Sequence, residues 1–339
     1  MKQWKRIATG AAAFGGTMGI LSGGVMFALG QRFIREFTRP GVSVDPNTPL
    51  WGGWKFPHSI AEPPKEMQRV VAFTTADGTA LRGEFWAQKQ PASTIIISHG
   101  FHLPSANFRS VAALEYSHGA NILIFDYRGH GESEHILTTC GNAEVNDLIA
   151  AVDVAASQPE TLPNTVYIHG FSMGAAVALL MPPQRAVAGI IADSPYAHLD
   201  EMILMIIAQI FDQETAQLRG PARAFRALIP FLTHVTFNSG RIMFHIRYRR
   251  PLIAHPERAI QRQAADLGQS PHIVPPPILL IHAERDPLIS LHHAHRLAAV
   301  ARLVGRPIQE YYTPCNIHCG SYGYDPQRYM SLLRSFLAA

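Results

Sequence analysis

Eight short runs of apolar or β-branched residues, at 69–75, 80–86, 94–98, 121–125, 165–169, 188–192, 277–282 and 308–312, alternate over most of the chain with stretches that read as helical. A strand that is apolar at nearly every position must be covered on both faces, and helices connecting parallel strands provide that cover. The pattern therefore predicts an α/β fold, a mostly parallel eight-stranded sheet with helices on both faces. The first two runs flank Ala76-Asp77-Gly78-Thr79 and are expected to form a hairpin. Helices are expected at 143–157, capped by Asn142, and at 292–304, closed by Gly305. A chain of 339 residues, 47% hydrophobic and 16% charged, is long enough to bury a sizeable core.

Residues 7–30 carry no charge over 24 positions. As a helix rising about 1.5 Å per residue, this stretch exceeds a hydrocarbon core of roughly 30 Å. Residues 1–30 therefore read as a membrane anchor containing a transmembrane helix. The alternatives are a signal peptide cleaved at Ala28-Leu29-Gly30 and a buried helix. Lys2, Lys5 and Arg6 precede the span and Arg32, Arg35 and Arg39 follow it, a slight bias toward a cytoplasmic N-terminus and an extracytoplasmic catalytic domain. On the signal-peptide reading the product is secreted. Residues 31–68, with six prolines and the Trp51-Gly52-Gly53-Trp54 step, read as a connector without a long helix.

Gly170-Phe171-Ser172-Met173-Gly174 stands between the fifth strand signal and the small, helix-compatible run 175–180. A serine on a sharp strand-to-helix turn needs small neighbours two residues to either side, so that the backbone can turn and expose the hydroxyl at the helix start. Ser172 is thus the candidate nucleophile. The net charge of +4, without a run of five or six basic residues, argues against a nucleic-acid partner. Three cysteines, Cys140, Cys315 and Cys319, are too few and too unevenly placed for a disulfide framework or a four-ligand zinc site.

Ser98-His99-Gly100-Phe101, Asp126-Tyr127-Arg128-Gly129-His130-Gly131-Glu132-Ser133, the glycine-flanked serine and His282-Ala283-Glu284-Arg285-Asp286 follow the third, fourth, fifth and seventh strand signals. Together they resemble the α/β-hydrolase superfamily from about residue 69 onward, with detail similar to its serine-peptidase-like and Bem46-like branch. Ala283 stands where that branch commonly carries glycine. The resemblance implies the order nucleophile, acid, histidine, and hence Ser172, Asp286 and His318 as catalytic residues, with Asp193 after strand six as the other candidate acid. It also implies an oxyanion hole from the backbone N–H groups of Phe101 and Met173. No metal or organic cofactor is required by this chemistry. His99 and Arg128 read as structural, and His292, His293 and His295 as a solvated helix face.

Residues 199–272 read as a cap inserted in the hydrolase domain 69–339. Its apolar residues suit either an acyl-binding pocket or packing, and its arginines either an anionic headgroup or solvent. The implied function is hydrolysis of a carboxylic ester, thioester or amide in a small-molecule or lipid-like acyl substrate. Acyl transfer from the same acyl-enzyme and a non-catalytic, membrane-tethered binding protein are the alternatives. Cys140 is expected either to join Cys315 or Cys319 in a disulfide that steadies the histidine loop, or to remain a thiol like them.

Overall fold

The computed structural model describes residues 60–184, 186–217, 219–249, 252, 254–267 and 274–338, and, ahead of these, 27, 28, 30, 31, 34, 35 and 37–39. Among the described residues eight strands form one sheet in the order β1-β2-β4-β3-β5-β6-β7-β8. They are β1 (Gln68–Thr74), β2 (Ala80–Trp86), β3 (Ala92–Ser98), β4 (Asn121–Phe125), β5 (Thr161–Phe171), β6 (Val187–Asp193), β7 (Ile278–Ala283) and β8 (Ile308–Thr313). β2 pairs antiparallel with β1 and with β4, and every other neighbouring pair is parallel. The expected hairpin and mostly parallel sheet are both present.

Burial explains why the central strands are apolar throughout. Every residue of β4 and β7 is buried, whereas edge strand β1 only alternates between half-buried and exposed. One face of the sheet packs Ile95, Ile97, Ile122, Ile124, Leu279 and Ile281 against Phe108, Tyr329, Leu333 and Phe336. Truncating any of these to alanine costs about 2–5 kcal/mol. The covering helices are α1 (Arg109–Ser117), α2 (Glu144–Ser157), α3 (Met173–Leu180), α4 (Leu199–Thr215), α5 (Ile229–Tyr248), α6 (Pro256–Leu267), α7 (Leu291–Leu303), α8 (Ser321–Tyr324) and α9 (Pro326–Leu337).

Two helix boundaries show what sets them. Asn142 was the expected cap of α2, but the N-cap is Ala143, which offers no capping side chain. The carboxylate of Glu144, in the first turn, instead fastens the loop that leads into the helix. It is fully buried and accepts the N–H groups of Thr139 and Gly141 at 2.8 and 2.7 Å and the hydroxyls of Thr138 and Thr139 at 2.7 Å each. A negative charge in the first turn also suits the helix dipole. α7 starts at Ser290, whose hydroxyl accepts the His292 N–H, and is followed by Gly305 at φ 72°, as its sequence anticipates.

The chain divides into two compact units, one of 39–202 with 253–339 and one of Met1–Thr38 with Ile203–Leu252. The first holds the sheet. It also holds α6, which packs against α3 and α7 although it lies within the 199–272 segment. In the second unit the described residues from 27 to 38 are helical and pack on α5, with Ile34, Phe37 and Thr38 buried. A Cβ on Gly30 would stand 3.0 Å from Cβ of Ser239, and one on Gly240 would stand 3.0 Å from Cγ1 of Ile34, so glycine permits this approach. The connector expected from residue 31 thus begins with helix, because its first proline is Pro40 and helices end before prolines. Trp51 and Trp54 lie outside the described residues, as does the expected anchor except for Phe27, Ala28 and Gly30. Among the described residues no helix is long and apolar enough to cross a membrane.

Candidate active site

The turn from β5 into α3 is built by its glycines. A Cβ on Gly170 would lie 2.6 Å from Cα of Ala175, and one on Gly174 would lie 2.1 Å from the carbonyl oxygen of Ser98, so neither position admits a side chain. Between them Ser172 adopts φ 51° and ψ −111°, a conformation that costs a non-glycine residue roughly 1–3 kcal/mol and persists only where its surroundings impose it. Ser172 is the N-cap of α3 and Met173 its first residue, so the Met173 N–H lies in the first turn, where amides have no partner inside the helix. The loop after β3 abuts the same turn: a Cβ on Gly100, next to Phe101, would lie 3.5 Å from Cβ of Ser172.

Asp286 and His318 come together from the loops after β7 and β8. Nδ1 of His318 lies 2.7 Å from Oδ2 of Asp286. Oδ1 of Asp286 accepts the N–H groups of Leu288 and Ile289 at 2.8 and 2.9 Å, which fixes the carboxylate's orientation. Burial alone would raise the Asp286 pKa, but His318 and the donated hydrogen bonds outweigh it and hold the carboxyl below its ordinary value. Burial alone would lower the His318 pKa, but the Asp286 charge, followed by Cys319, outweighs it and holds the imidazole well above its ordinary value. Nε2 of His318 is buried and has no hydrogen-bond partner among the described residues.

The end of β6 ties these loops to the serine. The Ser172 N–H donates to the carbonyl of Asp193 at 2.9 Å, and the hydroxyl of Ser194 accepts the Cys319 N–H at 3.2 Å. The serine turn and the histidine loop therefore hang on one dipeptide, Asp193-Ser194. Ser194 and Cys319, like Ser172, have positive φ, at 54° and 53°.

Asp193, the alternative acid, is engaged elsewhere. Its carboxylate accepts the Ser194 hydroxyl at 2.9 Å and the Tyr329 hydroxyl at 3.0 Å, and burial pushes its pKa up. The Tyr329 hydroxyl also lies 2.9 Å from Nε2 of His169, and Nδ1 of His169 meets Glu115. This buried chain, Glu115 to His169 to Tyr329 to Asp193, escaped the sequence reading because its members are spread from 115 to 329.

Several structural assignments hold. Nε2 of His99 accepts the Tyr127 N–H at 2.9 Å, and Arg128, 1% exposed, pairs with Asp147 and Asp77 at 2.5 and 2.8 Å. His293 departs from the expected solvated face. It is buried and accepts the Ala197 N–H at 3.3 Å, and burial pushes its pKa down to about 4, whereas His292 and His295 are exposed. Cys140, Cys315 and Cys319 are buried and none is in a disulfide, so hydrogen bonds and packing hold the His318 loop.

Among curated proteins, YqkD of Bacillus subtilis, an uncharacterized protein, is 32% identical over 150 residues, 43% of this chain and 49% of that one. The human monoglyceride lipase is 31% identical over 135 residues, 38% of this chain and 43% of that one. Thiohydrolase aneE of Aspergillus aculeatus is 27% identical over 176 residues, 49% and 55% of the two chains. The chain spans about half the length of the curated relatives it matches. Among solved structures, the Pyrococcus furiosus esterase Pf2001 superposes with a TM-score of 0.59 at 23% identity, over 83% of this chain and 98% of that one. At that identity the likeness concerns the fold. The profile of the alpha/beta hydrolase family matches residues 95–327, and with the sheet order and the serine turn already described, the chain belongs to that family.

Proposed function

We propose that the chain is a serine hydrolase that cleaves a carboxylic ester or thioester through an acyl-enzyme on Ser172. The observation that carries the reading is the state of His318, whose Nδ1 is held by Asp286 while its Nε2 is buried without a partner among the described residues. In the neutral imidazole that arrangement fixes the proton on Nδ1 and leaves the Nε2 lone pair to accept one.

The reaction then runs in two halves. The Ser172 hydroxyl attacks the carbonyl carbon as Nε2 of His318 takes its proton, and the carbonyl π pair moves onto oxygen. The backbone N–H groups of Met173 and Phe101 receive that oxyanion. Collapse of the tetrahedral intermediate breaks the bond to the alcohol or thiol, which leaves with the proton from His318. A water molecule, deprotonated by the same nitrogen, attacks the acyl-enzyme and returns the serine. Asp286 keeps the imidazole oriented and stabilises its cationic form. The names of two relatives, a monoglyceride lipase and a thiohydrolase, support a lipid-like ester or a thioester as substrate. Residues 7–30 would tether the enzyme to a membrane, a reading that rests on their uncharged length.

The test is hydrolysis of p-nitrophenyl esters and acyl thioesters of graded chain length by the purified chain, with products identified by mass spectrometry. Free acid that disappears in Ser172→Ala supports the proposal. A product in which an added alcohol or amine carries the acyl group would move the chain to acyl transfer, and no turnover of any acyl substrate would favour a non-catalytic binding role.

A further inference from the structure

A second constellation lies away from the serine turn in sequence, where the chain leaves the sheet unit for 203–252 and where it returns. His198 and Asp200 stand at the start of α4, and His255 immediately precedes α6. Two backbone hydrogen bonds fasten these segments side by side, from Leu199 N–H to the Ala254 carbonyl at 3.0 Å and from Glu257 N–H to the Ala197 carbonyl at 3.5 Å. Oδ1 of Asp200 lies 3.8 Å from Nδ1 of His198 and 3.8 Å from Nδ1 of His255, and one ligand atom from each of the three residues lies within 4.8 Å of the other two.

These separations are too long for hydrogen bonds, and both Oδ1 of Asp200 and Nδ1 of His255 are buried without a hydrogen-bond partner among the described residues. A buried carboxylate oxygen and a buried ring nitrogen left so each forfeit about 1–3 kcal/mol or more, so converging orphan atoms call for an occupant. The tautomer of His198 points the same way. Its Nε2 lies 2.8 Å from Oε2 of Glu257 and 2.9 Å from Nη2 of Arg296, and the form that donates from Nε2 to Glu257 leaves the Nδ1 lone pair toward Asp200. The other tautomer would accept from Arg296 at Nε2 but place N–H at Nδ1, whose nearest carboxylate oxygen, on Glu201, is 3.6 Å away. An imidazole that ligates through one nitrogen and donates to a carboxylate through the other is the usual support of a metal ligand.

We propose that Nδ1 of His198, Oδ1 of Asp200 and Nδ1 of His255 bind a zinc-class divalent cation that clips together the exit and return of the 203–252 excursion. Two imidazoles and one carboxylate suit zinc, and water supplies the fourth position. Tetrahedral bonds of about 2.0–2.1 Å bring ligand atoms to roughly 3.3 Å from each other, so the two separations to Asp200 must close by about half an ångström and the one between the histidines by at most about 1.5 Å. Arg296 lies 2.9 Å from Nε2 of His198, on the side of that ring away from the proposed ligand atom, and is itself bound by Glu201 and Glu257 at 2.7 Å each. The cation is structural and takes no part in the chemistry at Ser172.

The experiment uses the full chain, untagged, stripped with a chelator and titrated with Zn²⁺ by calorimetry, with metal content measured by mass spectrometry. One equivalent should bind and raise the unfolding temperature. Asp200→Asn and His255→Ala should abolish binding, and Glu257→Gln should weaken it by about 10–100-fold. His292→Ala, at an exposed histidine, should change nothing. Substoichiometric binding to the stripped wild-type chain, or equal binding by wild type and the Asp200 and His255 variants, would overturn the proposal. Co²⁺ loading tests it without a variant, since the site predicts the visible absorption of a four-coordinate nitrogen and oxygen set, and octahedral cobalt bands alone would overturn it.

Discussion

Nδ1 of His318 lies 2.7 Å from Oδ2 of Asp286, across 32 residues of sequence, while the other carboxylate oxygen is held by two backbone amides of its own loop. Asp193 spends its carboxylate on Ser194 and Tyr329. Asp286→Asn removes the acceptor from Nδ1–H and favours the wrong tautomer, so kcat toward an activated ester should fall by about 10⁴. Asp193→Asn should keep kcat within about tenfold, because it alters a hydrogen-bonded support and no reacting group, and should lower the unfolding temperature. A larger loss of kcat in the Asp193 variant than in the Asp286 variant would place the acid on β6.

The paired charges also set the pH behaviour. His318 must be neutral to act as base, and Asp286 holds its pKa well above the ordinary 6.5 against the opposing effect of burial. The acid limb of kcat/KM should therefore have its midpoint above 6.5, with activity lost as pH falls through it. Stability runs the opposite way for this group. A raised folded pKa means that protonated His318 contributes stability in full below 6.5, lost as pH rises through the folded value. Asp286, with its pKa lowered, contributes stability that is lost as pH falls through its folded value. A pH–rate profile and thermal melts across the same range read both signs, and a midpoint at or below 6.5 would contradict the ion pair.

Gly174→Ala should be costly, because its Cβ would lie 2.1 Å from the Ser98 carbonyl of a central strand, which cannot yield. The expected loss is about 1–3 kcal/mol or more, with activity reduced as the serine turn shifts. Gly78→Ala offers the contrast. No atom lies within 4 Å of its added Cβ, so only its φ of +88° opposes the change, at about 1–2 kcal/mol, with activity kept. Denaturant melts of both variants, read beside ester hydrolysis, check the pair.

How much of this was legible in the sequence depends on how local each cause is. The serine turn is steric and confined to five residues, so Gly170 and Gly174 announce it. The strands are legible because Ile95 to Ile97 or Leu279 to Ile281 leave no polar face to expose. The pairing of Asp286 with His318 was legible through the resemblance, which implies an acid after strand seven and a histidine after strand eight. His293 was misread because burial depends on what packs against α7, and nothing within the helix reveals Ala197. The Glu115–His169–Tyr329–Asp193 chain and the His198–Asp200–His255 cluster join residues from distant segments and leave no local pattern. The helix expected behind Asn142 takes Ala143 as its N-cap, one residue later than the cap-forming residue type suggests.

The tether is tested by fractionation. Full-length protein should sediment with membranes and resist a carbonate wash, as an uncharged stretch of 24 residues predicts. Detection of a native chain beginning at Gln31 would show instead that the segment is cleaved. Full-length protein that stays in the supernatant would remove both membrane readings.

The central claim is covalent chemistry at one hydroxyl, and intact-protein mass spectrometry after treatment with a fluorophosphonate tests it most directly. The account predicts one adduct per chain, mapped to Ser172 by peptide sequencing, absent in Ser172→Ala, and formed far more slowly in a folded His318→Ala variant. An adduct of unchanged yield in Ser172→Ala, or one mapped to another residue of the wild-type chain, would contradict it.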